Sequence, residues 1–333
     1  GFCSRVRPAI HILAGEKVCI QVISPTQAGA ALAARHTSRI ASGPVRIGCV
    51  GIEALLRHGF DVRAVFTHVD DPGENRWFRS VAEFAAGQGL PVFAPDNVNH
   101  PLWVEKIRKL APDVIFSFYY RHMVSSGILE IPPKGALNLH GSLLPKYRGR
   151  CPINWVLVKG EKESGVTLHY MTAKPDDGDI VGQKAFAIGD DDTALDLFGK
   201  AERAAGELLD ELLPRIKRGQ APRTPQDHKK ATYFGGRKPA DGKIDWAADA
   251  QPVHNLVRAV TPPYPGAFTA QGGKKLFVWK SRPEPLKKKA AAGTVVSLDP
   301  FVVACGKGAV RIVTGQPEGM VTMTGAQAAK ETG

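Results

Sequence analysis

The sequence predicts an α/β protein in which an open, doubly wound sheet is followed by a smaller β-rich domain. Short apolar runs alternate with longer amphipathic segments from residue 61 onward, which is the β-α-β order of such a sheet. The run Asp113 to Tyr120 is almost entirely apolar after its first residue, as expected for a strand buried on both faces of a parallel sheet. After Gly219 the composition shifts toward Pro, Lys and Gly, and one helix-like segment and several short strand-like runs follow. These observations place the larger α/β domain first.

The elements of the first domain are predicted from the spacing of their apolar residues. Asp61 to Thr67 and Leu90 to Ala94 are strand-like, and the segment Arg79 to Gly89 between them is helix-like. The remaining predictions, in chain order, are a helix over 102–110, strands over 113–120, 135–141, 165–171 and 179–188, and a helix over 193–217.

The second domain is predicted to be a small β-barrel or sandwich, because turn residues separate its short strands at close intervals. We therefore divide the chain into an α/β domain over 45–222, a linker over 223–240 and a β domain over 241–333. The elements predicted in the β domain are a helix over 253–260 and strands over 276–279, 293–298, 301–305 and 310–314.

The first 44 residues do not follow this pattern. They carry five Lys or Arg residues against one acid, Glu16, and their one strand-like piece is Lys17 to Ser24. A helix-like segment begins at Ile47, yet only Gly43 to Arg46 stand directly before it, which is too short for the expected first strand. The sequence therefore predicts that this strand is missing and that residues 1–44 are a non-native segment. A transit peptide is the alternative.

The formal charge of +12 favours an anionic partner such as a nucleotide-sugar, a folate or RNA. The densest basic run, Lys287 to Lys289, lies in a Pro- and Ala-rich stretch without interleaved aromatic residues, so nucleic acid is the minority interpretation. The chain has neither an apolar run of ~20 residues nor a signal peptide, which predicts a cytoplasmic protein without membrane insertion.

The cysteines and the common catalytic motifs exclude several classes of site. Five cysteines are scattered without a C-x-x-C pair, which fits neither a disulfide framework nor a zinc site. The usual phosphate-loop, zinc-peptidase and serine-hydrolase signatures are absent from the sequence, so no metal is predicted. The cysteines are Cys3, Cys19, Cys49, Cys151 and Cys305.

Two polar side chains share one face of a predicted buried strand. Asn138 and His140 are two positions apart, with Leu137 and Leu139 on the opposite face. Such a pair supplies a donor to an oxyanion and a general acid or base. A histidine alone would more often be a satisfied core residue, and the asparagine beside it favours the catalytic interpretation.

The loop Lys174 to Asp179 offers three carboxylates around a glycine. By itself it is a turn, since Asp and Gly are ordinary turn formers. A carboxylate near an imidazole would instead fix the tautomer of the ring and favour its protonated form. Spacing in the sequence does not decide between the two.

The run Asn138-Leu-His140, followed by Ser142-Leu-Leu-Pro-Lys-Tyr-Arg-Gly149, resembles the signature of the 10-formyltetrahydrofolate-dependent formyltransferases. Asp176 stands where that family keeps an essential aspartate. The resemblance extends from Ile47 to the C-terminus and includes Pro262 to Phe268. It implies a Rossmann-like domain followed by an open barrel related to the oligonucleotide/oligosaccharide-binding fold.

The resemblance also implies roles for individual residues. His140 would assist the tetrahedral intermediate as an acid, Asn138 would stabilise the oxyanion, and Asp176 would favour the protonated form of His140. The co-substrate would be 10-formyltetrahydrofolate, with no NAD and no metal. The implied folate contacts are His122, Met123, Val124, Arg150, Thr172, Ala173, Lys174, Pro175 and Asp176.

Within this family, Arg150 to Glu161 and Gly165 to His169 are most similar to the branch that formylates UDP-4-amino-4-deoxy-L-arabinose. That branch serves the aminoarabinose modification of lipid A and polymyxin resistance, so the implied partner is a nucleotide-sugar. Its bifunctional members also carry a decarboxylase domain. The chain is therefore expected to be either a stand-alone enzyme or a fragment of a bifunctional protein, and association with a decarboxylase domain or subunit is a further expectation. The alternatives are a methionyl-tRNA formyltransferase and an inactive relative that only binds folate or a nucleotide-sugar.

Overall fold

The computed structural model describes residues 17–22, 47–68, 80–120, 123–271 and 273–332. Two large sheets, one two-stranded sheet and the helices packed on them make up this part of the chain. The strands up to residue 234 are β1 Lys17–Val22, β2 Asp61–Phe66, β3 Val92–Phe93, β4 Val114–Phe118, β5 Ala136–His140, β6 Arg148–Gly149, β7 Glu163–Tyr170, β8 Ile180–Ala187 and β9 Tyr233–Phe234. The helices up to that point are α1 Ile47–Arg57, α2 Val81–Gly87, α3 Pro101–Leu110, α4 Ser126–Leu129, α5 Pro152–Val158 and α6 Ala194–Lys217.

The first sheet has seven strands in the order β3-β2-β1-β4-β5-β7-β8. The first five of these are parallel to one another, whereas β7 runs antiparallel to β5 and β8 antiparallel to β7. All five residues of β4 are buried, with Phe116 in one apolar cluster and Ile115 in the other. The sheet is therefore covered on both faces, and the predicted doubly wound α/β class is confirmed.

The prediction that the first strand is missing was wrong. Lys17–Val22 form β1 at the centre of the sheet, where it pairs in parallel with both β2 and β4. The sequence interpretation expected a strand immediately before Ile47, but backbone pairing, not adjacency to the next helix, defines a strand. The assignment of residues 1–44 to no domain therefore fails for β1. The rest of that segment lies outside the described residues.

The second sheet is antiparallel, with strand order β10-β11-β14-β13-β12 and β15 paired to β14. The elements of this part are the helices α7 Ala250–Val260 and α8 Gly325–Thr332, and the strands β10 Ala267–Gln271, β11 Lys274–Glu284, β12 Val295–Leu298, β13 Phe301–Ala304, β14 Ala309–Pro317 and β15 Met323–Thr324.

Helix α7 connects the two sheets. Arg258 donates to the backbone carbonyls of Gly189 and Asp192, which lie just before α6. The Nδ2 of Asn154 in α5 donates to the carbonyl of Ala259 at 2.7 Å. Charged and amide groups thus satisfy backbone carbonyls where the two parts meet.

The segment predicted as a linker, 223–240, packs against the first domain. Within it, β9 pairs in parallel with β6 through Arg148 and Tyr233. No helix in the described part of the chain is both long enough and apolar enough to cross a membrane.

Candidate active site

Asn138, His140 and His169 project from one face of two neighbouring strands. Leu137 and Leu139, on the opposite face of β5, are buried in the larger apolar cluster. Strand β7 runs antiparallel to β5 in a register that sets His169 directly beside Asn138. Residues directly opposite on one face of an antiparallel pair are close enough for their side chains to interact.

Asp176 lies over this face in the connection between β7 and β8. Its Oδ1 is 3.6 Å from Nδ1 of His140, 3.5 Å from Nε2 of His169 and 3.5 Å from Nδ2 of Asn138. Its Oδ2 accepts a hydrogen bond from the backbone N–H of Gly149 at 2.8 Å. The three residues singled out in the sequence are thus brought together around one carboxylate, with His169 as a fourth member.

The carboxyl group of Asp176 is held in its ionised form. Burial alone would raise its pKa, but the adjacent His140, then His169 and the N–H of Gly149, hold the pKa of Asp176 well below its usual range. The site therefore combines a fixed anion with two bases.

The backbone fixes which nitrogen of His140 exchanges protons. Its Nε2 lies 2.8 Å from the carbonyl oxygen of Tyr147, and because a carbonyl only accepts, Nε2 carries the hydrogen. In the neutral ring Nδ1 is then the basic atom, and it faces Asp176. When Nδ1 gains a proton, the imidazolium forms directly beside the carboxylate.

The loop between β5 and β6 holds the carbonyl of Tyr147 in place. Ser142 donates from Oγ to the carbonyl of Lys146 at 2.7 Å, and Oγ1 of Thr167 donates to the carbonyl of Ser142 at 2.6 Å. Tyr147 itself has φ +60°, and its backbone N–H donates to Oγ1 of Thr232 at 2.8 Å. The Ser-Leu-Leu-Pro segment therefore positions a backbone acceptor for His140.

Gly149 and Gln226 hold Asp176 from two sides. Gly149 has φ +94°, and a Cβ at this residue would lie 2.4 Å from the carbonyl oxygen of Phe234. Gln226 donates from Nε2 to the carbonyls of Asp176 at 2.9 Å and Gly178 at 2.7 Å. The guanidinium of Arg148, which is 1% exposed, in turn donates to Oε1 of Gln226. Sequence reasoning missed these residues, since their contacts join segments far apart in the chain.

His169 was also missed as a member of the site. A histidine near the end of a predicted strand, a few residues before the Lys174 to Asp179 loop, is the signal that could have found it. The signal becomes decisive only with the antiparallel pairing of β5 and β7, which spacing in the sequence does not show.

The predicted folate contacts fall in three places. Met123 is half-exposed and Val124 is buried; the Asn99 side chain binds the backbone on either side of Val124, at the carbonyl of Met123 and the N–H of Ser125. The loop Thr172 to Pro175 is exposed beside Asp176. Arg150 is exposed next to Gly149, and His122 lies outside the described residues.

The described residues contain no group of three or more His, Cys, Asp or Glu side chains arranged to hold a metal ion. The groups assembled at the site are hydrogen-bond donors, one carboxylate and two imidazole rings. This set suits proton transfer and the stabilisation of a developing oxyanion.

Comparison with protein families matches residues 52–213 to "Formyl transferase" and residues 237–333 to "Formyl transferase, C-terminal domain". The two matches together span most of the chain. The match to the first domain contains Asn138, His140, His169 and Asp176.

Three solved structures share the fold. The N-formyltransferase from Helicobacter canadensis, in complex with folinic acid and dTDP-3-aminofucose, is 21% identical, with a TM-score of 0.67 over 89% of this chain and 98% of that one. WlaRD, a sugar 3N-formyl transferase with dTDP and 5-N-formyl-THF, is 19% identical, with a TM-score of 0.65 over 92% and 99%. HypX from Aquifex aeolicus, in complex with tetrahydrofolic acid, is 21% identical, with a TM-score of 0.54 over 75% and 44%.

Proposed function

Because the chain belongs to the formyl transferase family, we propose that it moves a formyl group from 10-formyltetrahydrofolate to the primary amine of a nucleotide-linked aminosugar. The observation that carries the proposal is the cluster in which Asn138, His140 and Asp176 meet at 3.5 to 3.6 Å. Structures of the same fold bound to a formylated folate and a dTDP-aminosugar support both halves of the reaction.

In this proposal His140 and Asn138 divide the chemistry. The amine attacks the formyl carbon, and the carbonyl oxygen gains negative charge. Nδ1 of His140 takes the proton that the amine loses and returns it to the folate nitrogen as the C–N bond breaks. An N–H of Asn138 donates to the oxygen, a contact whose loss commonly costs ~3 kcal/mol of transition-state stabilisation.

Asp176 stabilises the charged states along this path. Since its pKa lies well below the usual range, the carboxylate stays ionised throughout the pH range in which an imidazole titrates. It therefore stabilises the imidazolium of His140 each time Nδ1 holds the transferred proton.

The folate is assigned to the surface beside this cluster. Val124 and Met171 belong to one apolar cluster on the face of the sheet from which Asn138 projects. We assign the folate contacts to Met123, Val124, Arg150 and the 172–176 loop, as the family resemblance implies. In this division β1 and residues 45–222 form the catalytic domain, with 223–240 and 241–333 as the linker and the second domain.

For the amine, we propose UDP-4-amino-4-deoxy-L-arabinose, as used in the aminoarabinose modification of lipid A that confers polymyxin resistance. The support is the resemblance of Arg150 to Glu161 and of Gly165 to His169 to that branch of the family. The complex with dTDP-3-aminofucose favours a dTDP-linked aminosugar as the second candidate.

The test is a panel of amines supplied with 10-formyltetrahydrofolate and purified protein. We expect formyl transfer to UDP-4-amino-4-deoxy-L-arabinose at a higher kcat/KM than to a dTDP-linked aminosugar. A reversed preference would move the substrate to the second candidate. Transfer only to methionyl-tRNA, with binding that weakens steeply as salt rises, would replace the proposal by the tRNA activity.

A further inference from the structure

The buried ring of His169 has a single neutral tautomer that fits its surroundings. Its side chain is 2% exposed, and Nδ1 lies 2.8 Å from the carbonyl oxygen of Tyr170. Because that oxygen can only accept, Nδ1 carries the hydrogen and Nε2 presents a lone pair. The tautomer is the opposite of that of His140, whose Nε2 carries the hydrogen.

The lone pair of His169 fixes the orientation of the Asn138 carboxamide. Nε2 lies 3.1 Å from Nδ2 of Asn138, so the amide must turn its nitrogen toward the ring. A flipped amide would set its Oδ1 against Nε2, and two acceptors in a buried site would then face each other without a hydrogen. His169, at the shorter distance, and Oδ1 of Asp176 therefore favour the same one of the two amide orientations.

The selected orientation keeps the second N–H of Asn138 available. Its other neighbour is Oδ1 of Asp176 at 3.5 Å, a distance at which a hydrogen bond is weak. An approaching carbonyl oxygen can therefore accept a hydrogen bond from that N–H, and only the weak contact with Asp176 is given up. With the amide reversed, the approaching carbonyl oxygen would instead meet Oδ1 of Asn138 and be repelled.

We propose that His169 is a positioning residue that holds the carboxamide of Asn138 as a donor to the formyl oxygen. This inference rests on the proposed formyl transfer and adds a residue to it. The groups that face His169 are Asn138 on β5, Asp176 on the β7–β8 connection, the carbonyl of Tyr170 and the ring of His140, whose centroid is 6.5 Å away. A proton on Nε2 would turn the ring from an acceptor into a donor and expel the N–H of Asn138.

Two substitutions separate positioning from bulk structure. His169→Leu replaces the imidazole with an apolar side chain of similar size and so removes the acceptor. We expect kcat to fall by about 10- to 100-fold with KM nearly unchanged. His169→Gln keeps an acceptor oxygen near the position of Nε2, and we expect it to retain most of kcat. The matched control is His254→Leu, which removes another buried histidine, 5% exposed, from the second domain and should leave kcat unchanged.

A spectroscopic measurement decides the inference without turnover. The chain has six asparagines, so selective ¹⁵N labelling of Asn, with Asn138→Ala for assignment, isolates the side-chain signal of Asn138. We expect that signal to shift in His169→Leu and to keep its wild-type position in His169→Gln, with ¹⁵N-histidine spectra showing a hydrogen on Nδ1 of His169.

Each outcome has a distinct meaning. Three results would overturn the positioning role. They are an equal loss of kcat in the Leu and Gln variants, an Asn138 signal that shifts in neither variant, and a doubly protonated His169 at neutral pH. Absence of transfer by the wild-type chain to every amine contradicts the proposed function instead, and the Asn138 signal still decides whether His169 sets the amide.

Discussion

At the scale of single residues, the site depends on how the Asp176 carboxylate is held. Its two oxygens serve different neighbours, with Oδ1 facing His140, His169 and Asn138 and Oδ2 bound to the N–H of Gly149. Asp176 itself has φ +54°, in the left-handed region. The surrounding contacts therefore hold a backbone conformation that a free loop would rarely adopt.

Replacing Gly149 tests this support. In Gly149→Ala the added Cβ would lie 2.4 Å from the carbonyl of Phe234 at φ +94°, so β6 must move away from β9 and pull its N–H from Asp176. We expect the free energy of unfolding to fall by about 1–3 kcal/mol and kcat by about tenfold or more. Thermal denaturation and steady-state kinetics measure both.

The control for that substitution is Gly319→Ala. Gly319 also has a positive φ, +82°, but a Cβ there would meet no atom of the described residues within 4 Å. It should therefore show the conformational cost alone, with kcat unchanged. Equal kinetics for the two variants would contradict the role assigned to Gly149.

The site residues that could be predicted from the sequence are those that stand out from their immediate neighbours along the chain. Asn138 and His140 are polar side chains on one face of an apolar strand, which is unusual enough to be noticed in isolation. Asp176 was identified only through the family resemblance, because an Asp- and Gly-rich loop is also an ordinary turn. His169, Gly149 and Gln226 act through contacts between distant segments, and no local period encodes those.

At the scale of elements, strand β1 is the most consequential departure from the sequence prediction. Most of the other long elements were predicted to within a few residues, because the period of their buried residues marks them, whereas α5, α8 and β10 were not predicted. The two-residue strands β6 and β9 leave no such period, although their pairing carries Gly149. Strand β1 was not predicted as the first strand of the sheet because the prediction assumed that this strand directly precedes helix α1 in the sequence.

A proline in β1 tests its central position. Ile20 pairs with Val65 of β2 and with Phe116 of β4. Ile20→Pro removes a backbone donor from the ladder and should destabilise the protein by about 3 kcal/mol or more, whereas Ile20→Val keeps the donor. Chemical denaturation followed by circular dichroism gives the comparison, and equal midpoints for the two variants would contradict the assigned topology.

Helix α7 is predicted to make stability depend on pH. His254 accepts at Nδ1 from Oγ of Ser281 at 3.0 Å and donates from Nε2 to the carbonyl of Asp190 at 3.3 Å. Burial, the largest effect, lowers the pKa of His254, and the charge of Arg258 also lowers it, although Asp191 opposes the shift. The unfolded chain therefore binds this proton more readily than the folded one.

Stability should then fall as pH drops through the unfolded value of about 6.5, by up to about 1.4 kcal/mol per pH unit for this one group. His254→Gln keeps hydrogen-bonding groups but does not titrate, so its free energy of unfolding should fall less than that of the wild type between pH 7.5 and 5.5. The other nine histidines are common to both proteins. Parallel pH curves would contradict the prediction.

At the scale of the whole molecule, the site is assembled from the first sheet and from the 223–240 segment that packs against it. Strands β5 and β7 supply three of its side chains, and the β7–β8 connection supplies Asp176. Gln226 holds the backbone carbonyl of Asp176, and β9 pairs with β6, whose Gly149 donates to the carboxylate. Helix α7 fixes the second sheet against α5 and the segment before α6. The net charge of +12 suits an anionic folate and an anionic nucleotide-sugar.

In the proposed reaction, Asn138, His140 and Asp176 together transfer a formyl group to a nucleotide-linked amine. The most direct measurement compares the formylated sugar product from 10-formyltetrahydrofolate and UDP-4-amino-4-deoxy-L-arabinose in the wild type and in folded His140→Ala. We predict turnover by the wild type and a rate at least about 10²-fold lower for the variant. No product from a folded wild-type sample, or undiminished product from the variant, would contradict the account.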